Sequence, residues 1–469
     1  MSDVVAYQPP LLAQAEAEAN ARLLRQLIWL SAPVLAENAL HMLVGFTDTW
    51  LANHLPDTPN LRPAAASAVG TISYLIWFIG LIVGAIATGS TALIARAVGA
   101  RHRSLANSVC GQSVVLAILL GLVLGVLFYL CADQLVIATR LQGSAAQHFA
   151  GSYARMLSIS LPFNTLMLVA NACLRGAGDT LSPALSMIAV DVINMFFSAS
   201  LTYGWFFMPR LGFEGIALGT VIAYIAGGVI QFVVLLVGRG GIRLHLHRMR
   251  PHWHTIKRIL KIGVPSGTEW VLTWIANFAM IIILNQIDPT NAMPAAHHNA
   301  VRLEAMSYLG GFAIATAAAT LVGQSLGMHN PRRATRSAYL GYALGGAWMS
   351  FFGLIFIVFG RYLADWMSAD PHIAQLTARC LFITGFIQSF FAAAIIFGGA
   401  LRGAGDTLAV MMINLASIIL IRFVGVMIVG FYLRLGLGAI WVVLCTDLFC
   451  RGVLMYLRFL HGGWKHVQV

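Results

Sequence analysis

The heptapeptide Leu174-Arg175-Gly176-Ala177-Gly178-Asp179-Thr180 recurs unchanged as Leu401-Arg402-Gly403-Ala404-Gly405-Asp406-Thr407, about 227 positions further on. A second echo runs from Val98-Gly99-Ala100 to Ala106 and returns from Leu326-Gly327-Met328 to Ala334 at nearly the same offset. A third sets Pro33 and Glu37 against Pro265 and Glu269, each Glu four residues after its Pro. One structural unit is therefore written twice, and the chain must fold as two homologous lobes.

The solvent of those lobes follows from composition. Of the 469 residues, 59% are hydrophobic and 10% charged, and the mean hydropathy is +0.80. That is no soluble surface. Charged side chains are absent from 63–95, 104–132, 215–238, 305–328, 337–360 and 380–401, and a helix of such length crosses a hydrocarbon core of roughly 30 Å. Less pure runs at 25–53, 153–173, 183–207, 259–287, 408–433 and 437–460 bring the count to about twelve. Two copies of one motif in one orientation need an even number of spans between them, and the repeat length allows six. The fold expected is an all-α integral membrane protein of twelve transmembrane helices, in two parallel six-helix repeats around a central cavity.

A net charge of +12 does not mark a nucleic-acid binder here, because the basic residues lie in short connections between apolar runs. Arg96, Arg101 and Arg103, then Arg239 to Lys261, then Arg332, Arg333 and Arg336 occupy alternate loops, as do Arg175 and Arg402. The positive-inside rule makes those loops and both termini cytoplasmic. The expected organisation is a cytoplasmic segment 1–26, an N-lobe 27–238, a cytoplasmic linker 239–258, a C-lobe 259–460 and a tail 461–469. The first 26 residues carry Glu16 and Glu18 and lack a short apolar core with a small-residue cleavage site, so no cleaved signal is expected. His245, His247, His252 and His254 in the linker invite a metal reading, but five nearby Arg and Lys repel a divalent ion; the segment reads as a basic surface on anionic lipid. The six Cys show no CxxC spacing and read as small core residues.

In the repeated motif the two Gly can supply positive φ to end one helix, and Asp or Thr can cap the next. A phosphate cradle is excluded by the lack of a preceding strand and of a Gly-Lys-Ser/Thr ending. With the "LRGAGDT" turns, "LVGQSLG" at 321–327, "AHHNAVRLEAMSYL" at 296–309 and "PRLGFEGIALGTVIA" at 209–223, the chain resembles the multidrug and toxic compound extrusion (MATE) transporters over nearly its whole length. The pattern is most similar to prokaryotic members with a single Asp in the first helix. The resemblance implies two lobes around a V-shaped cavity and export of amphipathic, often cationic compounds against inward H⁺ or Na⁺. It implies no enzyme activity and no cofactor beyond the coupling ion, a bilayer and small organic molecules as partners, and a monomer in the inner cell membrane.

A carboxylate near the bilayer centre costs roughly 2.5–3.5 kcal/mol even on the lenient insertion scale, so every intramembrane acid is a functional hypothesis. Asp48 leads. It lies fifteen residues after Pro33, about 22 Å along a helix, and by the resemblance it occupies the place of the N-lobe coupling acid. Burial favours the protonated form of a carboxyl, and Pro33 leaves a carbonyl without its helical donor, which allows a bend. Asn194 matches a family asparagine that partners this acid, while the position four residues on is Ser198 rather than an acid. Asp191, one turn before Asn194, either compensates for that loss or is a satisfied polar group between helices. Asn38, Asn164 and Asn171 are further polar candidates.

In the C-lobe, the places that carry acids in Na⁺-coupled relatives are Thr273 and Phe391. Hard oxygen ligands are thus sparse there, which favours H⁺. Glu269 is intramembrane but mirrors Glu37, so a shared structural role stands beside a coupling one. Glu304 reads as a partner for Arg302 or His298, or as a second-tier coupling group. Met42, Phe46, Trp274, Met280, Phe390 and Phe391 are the cavity groups expected to hold amphipathic cations. A lipid-linked saccharide flippase of the same broad superfamily is the alternative; it would need several mid-span Arg, of which Arg422 is the clearest. No HExxH lies in a span, and the GxSxG at Gly323-Gln324-Ser325-Leu326-Gly327 falls at the end of an apolar helical run rather than on a strand-to-helix turn, which leaves an intramembrane enzyme unsupported.

Overall fold

The computed structural model describes residues 9–55, 59–139, 141, 143–288 and 292–467. Residues 1–8 and 468–469 of the two terminal segments lie outside the described residues. The chain is nearly all helix. In order, the spans are Pro9–Asn53, Arg62–Gly99, Arg103–Leu130, Ser144–Ala177, Leu181–Tyr203 and Phe213–Val237, then Trp253–Ile287, Ala292–Gly327 and Pro331–Met367. The tenth is a pair, Pro371–Gly385 and Gln388–Ala404, bent by 62° at its break, followed by Thr407–Tyr432 and Leu437–His461. Eleven described helices are long and apolar enough to cross a membrane, and the bent pair makes twelve. With no water in the hydrocarbon to satisfy backbone groups, helices are the form such apolar runs must take.

The helices outrun the apolar stretches that announce them. The fourth covers 34 residues and the eighth 36, where hydropathy alone marks 153–173 and 305–328, because a polar helical end needs no lipid and carries no hydropathy signal. The single apolar run 380–401 proves to be a broken helix, and the eleventh span contains two π-helical stretches, Ile418–Phe423 and Met427–Tyr432. Neither departure from α-geometry has a Pro to announce it. Pro33, by contrast, sits inside one uninterrupted helix. Of the Cys, Cys131 is exposed and Cys450 partly so, while Cys110, Cys173, Cys380 and Cys445 are buried.

In each repeated turn the two Gly do different jobs. Gly178 (φ 95°) and Gly405 (φ 89°) take the left-handed conformation that ends the helix. Gly176 and Gly403 permit close packing: a Cβ on Gly176 would lie 2.8 Å from the Thr91 carbonyl oxygen, and one on Gly403 2.2 Å from that of Ala319. Asp179 then caps the fifth span, accepting Ser182 N–H at 3.0 Å and Ser182 Oγ at 2.6 Å. Asp406 instead accepts Arg458 Nε at 2.9 Å.

The lobes meet at the end that carries the basic connections. A Cβ on Gly99 of the second span would stand 2.0 Å from the Gln324 carbonyl oxygen of the eighth, and one on Gly327 would stand 2.1 Å from that of Arg96. These contacts are related by the sequence repeat, so the crossing is a pseudo-twofold one between equivalent helices. Thr320 Oγ1 donates to the Arg175 carbonyl at 3.1 Å, Gln324 Nε2 to that of Gly176 at 3.3 Å, and Arg96 Nη1 to that of Val467 at 2.7 Å. Just above this seal a cavity of about 190 Å³ lies between the lobes, lined by Thr88, Thr91, Arg175, Trp270, Phe312 and Arg402 among others. The linker is held down as well: Gln112 Nε2 donates to the carbonyls of Arg248 and Arg250 at 2.8 and 2.9 Å, and Gln112 Oε1 accepts His252 N–H at 2.9 Å.

Candidate functional site

Asp48 is 2% exposed and stands where the first, fourth, fifth and sixth spans converge. Its neighbour Thr49 spends its hydroxyl on the Gly45 carbonyl at 2.8 Å. Two glycines, Gly215 and Gly219, let the sixth span close on the fifth; a Cβ on Gly219 would stand 2.3 Å from Ser198 N. That approach brings Asn194 and Thr220 together. Tyr153 Oη and Thr220 Oγ1 each donate to Asp48 Oδ2 at 2.7 Å, and Asn194 Nδ2 donates to Oδ1 at 3.2 Å. The same amide also lies 2.9 Å from Thr220 Oγ1 and 3.2 Å from Ser198 Oγ. Among the described residues no Arg, Lys or His pairs with this carboxyl. A buried acid without a countercharge is tolerated when hydrogen bonds line it and a proton can neutralise it.

Asn194 is thus brought to Asp48, Ser198 reaches only Asn194, and Asp191 is not part of the group. Asp191 is buried one turn away, and both its carboxylate oxygens lack a hydrogen-bond partner. Asn171 belongs elsewhere, donating to Glu37 Oε1 at 2.9 Å and accepting Gln231 Nε2 at 2.5 Å. Of the proposed cavity groups, Met42 and Phe46 are exposed, and Trp274 stacks on Phe278 and meets Tyr74 and Phe78 across the lobe boundary. Phe391 is half-buried against Tyr308. Met280 is 4% exposed and packed with Ile283, Leu284 and Ile440 in the C-lobe, where it borders a small cleft beside Arg422.

The repeat also places two charge pairs. Arg175 Nη1 reaches Glu37 Oε1 at 2.7 Å and Oε2 at 2.9 Å, and Arg402 Nη2 reaches Glu269 Oε1 at 2.5 Å. Each Glu takes a second donor from an amide, Asn171 in one lobe and Asn414 at 2.5 Å in the other. The Arg of each "LRG" turn is therefore spent on the Glu four residues after the lobe's first Pro. Arg402→Ala strands a buried carboxylate, a loss of about 3–5 kcal/mol. The expected result is a fall in the thermal unfolding midpoint of the purified protein. Glu269→Leu combined with Arg402→Met restores most of it, since an apolar pair of similar volume replaces a buried ion pair at little cost.

Two features were not anticipated from sequence. The first is the set of donors from distant spans, Tyr153 and Thr220. The second is Asp447, fully buried, which accepts Arg422 Nε at 2.8 Å, Arg451 Nε at 2.9 Å and the Ser417 hydroxyl, while Arg422 Nη1 donates to Asn277 Oδ1 at 2.7 Å. The signal was present: an Asp and an Arg four residues apart inside the run 437–460 are each intramembrane charges. Glu304 also differs from expectation. Its carboxylate accepts Thr384 Oγ1 at 2.5 Å and Gln388 Nε2 at 3.3 Å from the tenth span, not Arg302 or His298.

Twelve spans in two repeated lobes, sealed at one end below an inter-lobe cavity and carrying a buried carboxyl without a countercharge among the described residues, define a multi-pass membrane transporter. The MatE family model matches twice, over residues 33–199 and 265–428. The chain is 30% identical to a probable multidrug resistance protein NorM of Thermotoga maritima, over 94% of its length and 93% of the relative's. A solved structure of MATE in the bent conformation superposes with a TM-score of 0.86 at 20% identity, covering 95% of this chain and 98% of that one. An outward-facing multidrug resistance MATE transporter gives 0.85 at 19% identity, covering 95% and 97%. The chain belongs to the MATE family of multidrug efflux transporters.

Proposed function

We propose that this transporter exports small amphipathic organic cations in exchange for H⁺, with Asp48 as the N-lobe coupling carboxyl. The observation that carries the reading is the lining of Asp48: three uncharged donors from three different spans and, among the described residues, no basic partner. A site of this kind can hold either a neutral acid or a carboxylate, and each form prefers a different arrangement of the spans around it. Proton uptake from one side and release to the other then exchanges with a cation that competes for the same charge.

Na⁺ fits less well. The ion favours several hard anionic oxygens, and here Ser198 stands where a second acid would complete the site, leaving Asp48 as its carboxylate. The basic connections at the sealed end support an inner-membrane orientation with both termini cytoplasmic, so the seal faces the cytoplasm and the conformation is outward-facing. A single chain contains both lobes and the cavity, which supports a monomeric working unit. The saccharide alternative loses its main support, because Arg422 and Arg451 are both committed to Asp447.

The test is reconstitution of the purified full-length protein in liposomes, with export of a fluorescent organic cation followed under an H⁺ gradient or a Na⁺ gradient alone. Acceleration by the H⁺ gradient is the expected result. Acceleration by Na⁺ alone overturns it.

A further inference from the structure

The C-lobe holds a buried carboxyl of its own. Glu304 is 8% exposed, and both of its hydrogen bonds arrive on Oε1 from Thr384 and Gln388, the residues that flank the break of the tenth span. Gln388 is oriented for this, because its Oε1 accepts Ser307 Oγ at 2.7 Å and so leaves the amide N–H groups to face Glu304. The ninth span closes over the same break: a Cβ on Gly353 would stand 2.6 Å from the Gly385 carbonyl oxygen. The site is therefore built to receive two donors on one carboxyl oxygen.

Its electrical surroundings are unbalanced without it. Arg422 and Arg451 share the single carboxylate of Asp447, and the charge of Arg422 acts on Glu304 as well. The groups facing Glu304 are Thr384, Gln388 and Cys380 from the tenth span, Arg422 from the eleventh and Cys445 from the twelfth, and the Asp447–Arg451 pair of the twelfth is joined to them through Arg422. Tyr308 acts from its own span, which also carries His297, His298 and Arg302, and the ninth contributes the apolar Phe356 beside Leu303. Two guanidinium groups and two carboxylates sum to zero when Glu304 is ionised. Protonation of Glu304 leaves one positive charge in excess, and Arg422 borders a small cleft with Ala276, Met280 and Phe423 between the seventh and eleventh spans. Arg422 lies within the first of the two π-helical stretches of the eleventh span, Ile418–Phe423, a geometry frequent at functional sites.

We propose that Glu304 is a second proton-binding site, in the C-lobe, whose protonation unmasks Arg422 and so disfavours a cationic substrate while the proton is bound. The proposal rests on the antiport reading above and adds to it: two protons, one at Asp48 and one at Glu304, enter for each monovalent cation that leaves. Such a cycle moves one net positive charge inward. The neutral Glu304→Gln carrier moves one proton per cation and no net charge.

The experiment measures cation export from proteoliposomes at fixed ΔpH while a K⁺ gradient with valinomycin sets the membrane potential. Wild type is expected to accelerate when the potential favours inward positive charge, and Glu304→Gln to transport without regard to it. Electroneutral exchange by wild type overturns the proposal by itself, whether or not the variant folds. Full potential dependence in Glu304→Gln overturns the assignment to Glu304 and leaves the antiport reading standing. Wild type driven by Na⁺ and not by H⁺ overturns both.

Discussion

Asp48→Asn is expected to reduce H⁺-driven export to the rate of protein-free liposomes while the protein remains folded. The side chains are isosteric, and the present partners can accommodate the change. Asp48 Oδ2 takes two hydroxyl donors, so the amide oxygen of Asn settles there and the new N–H₂ group takes the place of Oδ1. That group would meet the donating nitrogen of Asn194, but Asn194 Oδ1 is buried without a partner, and a turn of the Asn194 amide by half a rotation pairs it. The turn exchanges the Nδ2 contacts with Thr220 and Ser198 for the new amide pair, and stability is expected to fall by about 1–2 kcal/mol with the protein still folded. What is lost is the proton. An amide cannot cycle between charged and neutral forms, so the equilibrium between arrangements of the first, fourth, fifth and sixth spans no longer depends on H⁺. Parallel flux and unfolding measurements decide the matter; a folded variant that exchanges at the wild-type rate removes Asp48 from coupling.

Gly99→Val and Gly327→Val are expected to be the most damaging changes that leave every charged side chain in place. Each adds a side chain where even a Cβ would lie about 2 Å from a carbonyl oxygen of the opposing helix, the Gln324 carbonyl for one and the Arg96 carbonyl for the other. The obstructing atoms are backbone and cannot swing aside, so the second and eighth spans must separate. Overpacking of about 1–3 kcal/mol per site corresponds to a roughly five- to 150-fold shift between the sealed and unsealed arrangements. Because the two contacts are equivalents in the repeat, both substitutions should act in the same direction. A cysteine at Thr88, which lines the cavity above the seal, in a background with its native cysteines replaced, is the reporter. It should resist a membrane-impermeant thiol reagent from the basic side in the parent and react in either Val variant, with transport lost. Continued protection and normal flux would show that the crossing does not gate.

The repeat is legible because duplication preserves residues that the backbone demands: Gly178 and Gly405 for a left-handed turn, Gly176, Gly403, Gly99 and Gly327 for close approach. The apolar runs are legible because the bilayer imposes a length and forbids unsatisfied backbone, and from these the twelve spans and the two lobes follow. Asp48 stood out because an acid so deep in such a run has few tolerable explanations. Sequence by itself thus determined the class of fold, the two-lobed plan and the identity of one central carboxyl.

The partners were decided in three dimensions. Tyr153, Asn194 and Thr220 lie on three spans and meet at Asp48 only because glycines let the fifth and sixth close together. Asp191, a single turn from Asn194, points to a place with no donors. Glu304 finds the break of the tenth span, Asp447 gathers two arginines, and Glu37 and Glu269 each claim the arginine of their own turn. The reason is physical. In a soluble helix, polarity reports which face meets water, but in lipid both the buried and the outward faces are apolar. Hydropathy therefore carries almost no record of rotation, and which polar groups meet is settled by helix packing alone.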